Sequence, residues 1–260
     1  MDTTVTLSDL RAMKRDGHKI VGVVVWDVQM ARIVDRVGVE IVSVGDTVGV
    51  NLWGQANPLE VTLDQMVVVA QAVRRGVRRA LLSCDFPFGP LQRGPSAAVR
   101  AAIRLVKEAG VDLVKLDGAA EHPNAVAAVD RAGIPVFAQF GITPQTAPRY
   151  GDAQIPESMV EDVVAQARRL EQAGAALLNL TNAGPVIGAE VVRAVSIPVL
   201  GGLGGGPWLD GRMRLATAAI GYAASNLDDP RPVYANVAQV SFDALGAYAD
   251  DVRAGRQIRS

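Results

Sequence analysis

The sequence predicts an α/β fold: a (βα)8 TIM barrel with an extra N-terminal helix, one domain spanning residues 1–260. Three observations predict it. The chain has 260 residues, and barrels of this type run to about 250. An amphipathic stretch that ends in Gly and gives way at once to a short apolar run recurs at Gly38, Gly76, Gly110, Gly133 and Gly174. Gly favours the left-handed conformation that ends a helix, and β-branched residues then favour extension. The apolar runs are nearly continuous rather than alternating, as strands buried on both faces require. An open doubly wound sheet is the competing architecture. The first strand-to-helix turn, however, reads Trp26-Asp27-Val28 and lacks a dinucleotide-binding glycine fingerprint.

The elements follow in order. Strand 1 is read at Ile20–Trp26, with its helix from about Asp27 to Val37. Strand 2, Val39–Val44, leads through a long loop to a helix starting near Thr62, where Thr62 and Gln65 have capping-box spacing. Strand 3, Ala80–Cys84, precedes a Pro/Gly-rich loop and the helix Ser96–Ala109. Strand 4, Asp112–Leu116, and strand 5, Pro135–Gln139, flank a shorter helix, Asn124–Ala132. A long loop, Phe140–Ile155, leads to the helix Glu157–Ala173. Strand 6 (Ala176–Leu180), strand 7 (Pro198–Gly201) and a weak strand 8 near Ile220–Ala223 complete the series. The helix Val233–Arg253 closes the chain, and Ser8–Asp16 supplies the extra helix, placed over the barrel bottom.

Composition narrows the function. The chain is 49% hydrophobic and 20% charged, which argues against a disordered protein. Lys plus Arg number 26 against 27 for Asp plus Glu, so no charge excess favours nucleic acid or an anionic membrane. A single cysteine, Cys84, excludes an intrachain disulfide and a site of several thiolates. Two histidines, His18 and His122, argue against a histidine-rich metal site, leaving oxygen ligands and a hard cation such as Mg²⁺. Met1 to Lys19 lacks the apolar core of a signal peptide, and the apolar runs elsewhere are too short to span a bilayer. The expectation is a cytoplasmic protein acting on a small-molecule substrate, with no nucleic acid and no membrane.

In such a barrel the chemistry belongs at the C-terminal strand ends. Those ends carry Asp27, Asp46, Asp85, Lys115 with Asp117, Gln139, Asn179 with Thr181 and Asn182, and the glycines 201–206. Carboxylates gathered at one mouth repel each other and need a cation, a shared proton or ample water. The functional reading is therefore a metal site. Asp is also a common N-cap, and Asp27, directly ahead of a helix, reads equally well as a cap. Asp46 and Asp85 precede long loops, which favours function. Lys115 reads either as a structural counter-ion or as a substrate-binding cation. The glycine run reads either as a cradle for a phosphate or carboxylate or as a tight turn. Cys84 reads as a small core residue, and neither histidine sits at a strand end.

Six short stretches carry a further resemblance, within a region from about Lys19 to Gly221. They are Val44-Gly45-Asp46-Thr47-Val48-Gly49, Pro58-Leu59-Glu60-Val61-Thr62, Ala72-Val73-Arg74-Arg75-Gly76, Asp85-Phe86-Pro87-Phe88, Val114-Lys115-Leu116-Asp117-Gly118 and Phe140-Gly141-Ile142-Thr143-Pro144-Gln145. In this order and spacing the chain resembles the ketopantoate hydroxymethyltransferase family, barrels of the phosphoenolpyruvate/pyruvate superfamily. The resemblance implies an Mg²⁺-dependent enzyme of pantothenate biosynthesis. Such an enzyme joins a 2-oxo acid, 3-methyl-2-oxobutanoate or similar, to the one-carbon unit of methylenetetrahydrofolate as co-substrate, through an enolate. It implies Asp46 and Asp85 as direct metal ligands and Asp117 as a third acid reaching the metal through water. By the same resemblance Thr47 touches the 2-oxo acid through backbone and hydroxyl, and Lys115 binds its carboxylate or oxo oxygen. Asp46, Asp85 and Gln139 complete the substrate-binding set. A homo-oligomer is implied as well, a decamer of two five-membered rings.

The departures from the family pattern are specific. Thr181 stands where the family places a glutamate after strand 6, and a hydroxyl cannot serve as base near pH 7. Gln139 replaces a histidine, Asp117 a glutamate, and Thr217 an aspartate. The metal pair is kept and the proton-transfer set altered, which fits a divergent paralogue. Candidates for proton transfer are Asp117, Lys115 or water on the metal. A lysine base needs a pKa lowered against its acidic neighbours, which favours Asp117 or the water. Two other readings remain: a C–C lyase or hydrolase acting on a 2-oxo acid, and a barrel that binds ligand without catalysis because Thr181 replaces the base.

Overall fold

Eight parallel strands close in sequential order: β1 (Ile20–Val24), β2 (Ile41–Val44), β3 (Leu81–Asp85), β4 (Leu113–Leu116), β5 (Val136–Gly141), β6 (Ala175–Thr181), β7 (Val199–Gly201) and β8 (Gly211–Leu215). The computed structural model describes residues 4–146, 154–229 and 234–256. The chain divides into two compact units, Met1–Met213 and Arg214–Ser260. The first holds helices α1 (Leu7–Asp16), α2 (Val28–Val37), α3 (Val48–Trp53), α4 (Leu63–Arg74), α5 (Pro95–Ala109), α6 (Pro123–Arg131), α7 (Val160–Gln172) and α8 (Pro185–Ala194). The second holds α9 (Ala216–Ile220) and α10 (Val237–Arg253). The (βα)8 barrel and its extra N-terminal helix are as the sequence predicts.

The strands behave as their composition requires. Every residue of β2, β3, β4 and β6 is buried, because helices cover the outside and side chains fill the inside. Local signals set the helix starts. Thr62 and Gln65 form the expected capping box ahead of α4, with Gln65 N donating to Thr62 Oγ1 at 3.3 Å and Thr62 N to Gln65 Oε1 at 2.8 Å. Asp27 caps α2, accepting from Gln29 N at 2.8 Å and Met30 N at 2.9 Å. That settles the open reading of Asp27 as a cap.

α1 lies at the N-terminal end of the barrel, where the sequence places it. Leu10 is fully buried. Lys14 Nζ donates to Val192 O at 3.0 Å and Ile197 O at 2.9 Å and pairs with Asp210 at 3.1 Å. Ile197 lies two residues before β7 and Asp210 directly before β8.

Three expectations need correction. Strand 8 is not near Ile220–Ala223: β8 is Gly211–Leu215, and Ile220 ends α9. Its sequence, Gly-Arg-Met-Arg-Leu, alternates with Arg212 and Arg214 outward, so it shows no apolar run. The loop after β2 contains α3, and α8 follows β6, both unmarked by periodicity. Among the five glycines, Gly38, Gly110, Gly133 and Gly174 have the positive φ expected of helix ends. Gly76 does not: a Cβ there would lie 2.7 Å from Ala31 Cβ and 2.8 Å from Val28 O, so it permits close packing of the end of α4 on α2. Of the last predicted helix, Val233 lies outside the described residues and α10 begins at Val237.

Candidate active site

Strand register brings the polar residues together. On a strand, alternate residues face the same side. Ser83 and Asp85 on β3, Lys115 on β4 and Asp117 just beyond it, Gln139 on β5, and Asn179 and Thr181 on β6 all share the inward phase, and all are buried. Asp85 pairs in register with Lys115, and Gln139 with Asn179. Their side chains meet accordingly: Lys115 Nζ lies 3.1 Å from Asp85 Oδ2, and Asn179 Nδ2 donates to Gln139 Oε1 at 3.0 Å. Gln139 Nε2 in turn donates to Asp117 Oδ2 at 3.2 Å. One layer deeper, Ser43 and Ser83 share a hydrogen bond of 2.8 Å.

Asp46 follows β2 and turns back over the same mouth. Its backbone N–H lies near enough to the Asp85 carboxylate to favour the ionised form. Gly45 leaves room for this: a Cβ there would meet Val24 Cγ1 at 2.9 Å. Gln145, from the segment after β5, ties the acids together. Its Nε2 donates to Asp46 Oδ2 at 2.7 Å and to Phe86 O at 2.9 Å, and its backbone N donates to Asp117 Oδ2 at 3.3 Å.

Three buried acids face one buried lysine, and the imbalance shows in their ionisation. Burial, then the charge of Asp85, pushes Asp46 up to about 8. Burial raises Asp85 despite the opposing pull of Lys115. Burial also raises Asp117, to about 6, against the lowering influence of the nearby Thr143 hydroxyl. Burial alone would lower Lys115, but Asp85, Asp46 and Asp117 outweigh it and hold the ammonium above its ordinary range. The charged form of Lys115 is thereby favoured, which counts against it as a neutral base.

Asp85 Oδ1 and Asp117 Oδ1 are buried without a hydrogen-bond partner, and a buried carboxylate oxygen left so is costly. Among the described residues no three His, Cys, Asp or Glu side chains close on one point. A cage made wholly of protein ligands is thus not formed. Mg²⁺ suits such a place, because it takes one or two carboxylates and keeps several waters or substrate oxygens.

The other sequence candidates fall as follows. Thr47 stands at the N-cap of α3 without a side-chain capping bond. Thr181 Oγ1 donates to Phe140 O at 3.0 Å. Asn182 stands at φ 56° and donates to Ile142 O at 2.9 Å. The glycine run folds tightly on itself: a Cβ on Gly201 would lie 3.0 Å from Gly205 Cα. That accounts for small residues there without a ligand. Cys84 is a buried free thiol. His18 is exposed and His122 half-buried, beside the ends of α1 and α6. Sequence reasoning gave no role to Gln145, although it lies in a quoted motif.

Comparisons with known proteins agree with this geometry. A family model described as ketopantoate hydroxymethyltransferase matches residues 4–257. The 3-methyl-2-oxobutanoate hydroxymethyltransferase of Salinibacter ruber is 38% identical over 254 residues, covering 96% of this chain and 95% of its own. That of a Cyanothece species is 36% identical over 259 residues, covering 96% of each. Among solved structures, 2,3-dimethylmalate lyase, a PEP mutase/isocitrate lyase superfamily member, superposes with a TM-score of 0.62 at 18% identity, over 87% of this chain and 86% of its own. Oxaloacetate acetylhydrolase gives 0.62 at 17% identity, over 87% and 88%. These two share the fold. The family match and the near full-length relatives together show that the chain belongs to the ketopantoate hydroxymethyltransferase family.

Proposed function

We propose that this protein transfers a hydroxymethyl unit to a 2-oxo acid of the 3-methyl-2-oxobutanoate kind, with methylenetetrahydrofolate as donor and Mg²⁺ as cofactor, as a divergent member of its family. The observation that carries the reading is the buried Asp46–Asp85 pair beside Lys115, with Asp85 Oδ1 unpartnered. Asp46 and Asp85 would hold the cation, with Asp117 reaching it through water. When bound, the ion supplies positive charge that polarises the 2-oxo group and acidifies C3.

The chain's own residues do the rest. Lys115, held charged, binds the substrate carboxylate or oxo oxygen, and Thr47 offers its hydroxyl and backbone. Asp117 takes the C3 proton on Oδ1, since Oδ2 is occupied by Gln139 and the Gln145 amide. A carboxylate raised to about 6 is a stronger base than an ordinary one yet ionised at neutral pH. The resulting enolate attacks the donor's methylene carbon as one of its C–N bonds breaks; water displaces the second nitrogen to leave the hydroxymethyl group, and the C3 proton and one proton of that water pass to the two nitrogens of the released tetrahydrofolate. Thr181 stays a hydrogen-bonded wall of the site. We further infer a cytoplasmic homo-oligomer. The apolar residues Val240, Phe242, Leu245 and Tyr248 exposed along α10 support an assembled form.

The test is proton exchange at C3 of 3-methyl-2-oxobutanoate in deuterated water, followed by NMR. Mg²⁺-dependent exchange that disappears in Asp117→Asn is expected, with product appearing when methylenetetrahydrofolate is added. Ligand binding without exchange would replace this reading with that of a non-catalytic binder.

A further inference from the structure

A second feature lies at the opposite end of the barrel. A cleft of about 490 Å³ opens between α2 and the turn from α4 into β3. Arg32 and Arg36 line it from α2, and Arg75, Arg78 and Arg79 from the turn. Small-molecule sites fall in the range of roughly 300–1,000 Å³, so the space suits a compact ligand. Arg79 precedes β3 and Asp85 ends it, which puts the cleft about 20 Å from the acidic mouth.

The cleft has little internal neutralisation. Its one carboxylate, Asp35, accepts hydrogen bonds from the backbone N–H groups of Arg78 at 3.0 Å, Arg79 at 3.1 Å and Ala80 at 2.9 Å. Asp35 therefore serves to hold the turn. Arg79 is fixed by donating to Gly38 O and to Val39 O, the latter at 2.9 Å. Some surface arginines elsewhere pair with acids, Arg74 with Asp112, Arg104 with Asp64 and Glu108, Arg193 with Glu190, and others, such as Arg100 and Arg168, stand singly; the cleft differs in gathering five. Among the described residues, Arg32, Arg36, Arg75 and Arg78 have no such partner. The close approach at Gly76 brings the two pairs of arginines to one cleft.

We propose that this cleft binds a small phosphorylated anion through its diphosphate group. Guanidinium forks grip phosphate oxygens two at a time, whereas one orthophosphate would engage fewer of the five arginines. The site is independent of the acidic mouth and of the reaction assigned to it.

Calorimetric titration of the full chain with inorganic pyrophosphate, in EDTA to keep the acidic mouth free of metal, tests the proposal. Pyrophosphate should bind at least about tenfold more tightly than orthophosphate. The double variants Arg32→Gln/Arg75→Gln and Arg36→Gln/Arg78→Gln should each weaken it by about tenfold or more. Arg104→Gln/Arg193→Gln, which removes the same two charges elsewhere, should leave the affinity unchanged, and thermal melts would show that all variants fold. Absence of pyrophosphate binding would overturn the proposal, as would equal affinity in both double variants. So would light scattering in which those variants abolish self-association while pyrophosphate has no effect, since the cleft would then be a contact between copies of the chain.

Discussion

Asp46 is ionised only against two penalties, its burial and the neighbouring charge of Asp85. Its folded value, about 8, lies above the ordinary 3.8, so the metal-free folded state binds a proton between these values that the unfolded chain has released. The contribution of Asp46 to the stability of the metal-free protein is then greatest at the acid end and falls as pH rises from about 4 through about 8. A cation must displace the same proton, so Mg²⁺ affinity should rise over pH 6 to 8 and level off above it. Calorimetric Mg²⁺ titrations across that range would check this, and a flat profile would contradict it. Asp46→Ala should abolish Mg²⁺ binding measured the same way. Asp117→Asn should lower turnover by about 10²- to 10⁴-fold while leaving Mg²⁺ binding detectable, which separates base from ligand. The acids were legible in the sequence because strand ends in this architecture carry the chemistry. Gln145 was not, since its bonds to Asp46 and Asp117 depend on where a loop settles and leave no local trace.

At the level of elements, the signals that worked were those written within a few residues. The Thr62–Gln65 box is one. Thr62→Ala should cost about 1 kcal/mol of stability, read from chemical denaturation, and a change near zero would mean that α4 is fixed by packing alone. β8 resisted prediction because two of its five residues, both arginines, face outward, so its pattern resembles a loop more than a buried strand. Gly76 mimicked the helix-ending glycines in sequence while serving a different purpose, the contact of α4 with α2. That distinction rests on tertiary packing, which spacing along the chain does not encode.

For the whole molecule, assembly is the open dimension. If α10 is an assembly surface, light scattering should report a species larger than a monomer, and Phe242→Glu with Leu245→Glu should shift it to smaller mass. A monomer before substitution would remove oligomerisation from the reading. The Lys14 clasp carries a different consequence. β7 has three residues and shares two register pairs with each neighbour, far fewer than the long β5–β6 seam. A cylinder of strands opens where its stitching is thinnest, and here an ammonium on a separate helix supplies part of the thread. Deuterium uptake should accordingly begin at Val199 and Leu200, and Lys14→Met should hasten it there before any other strand notices.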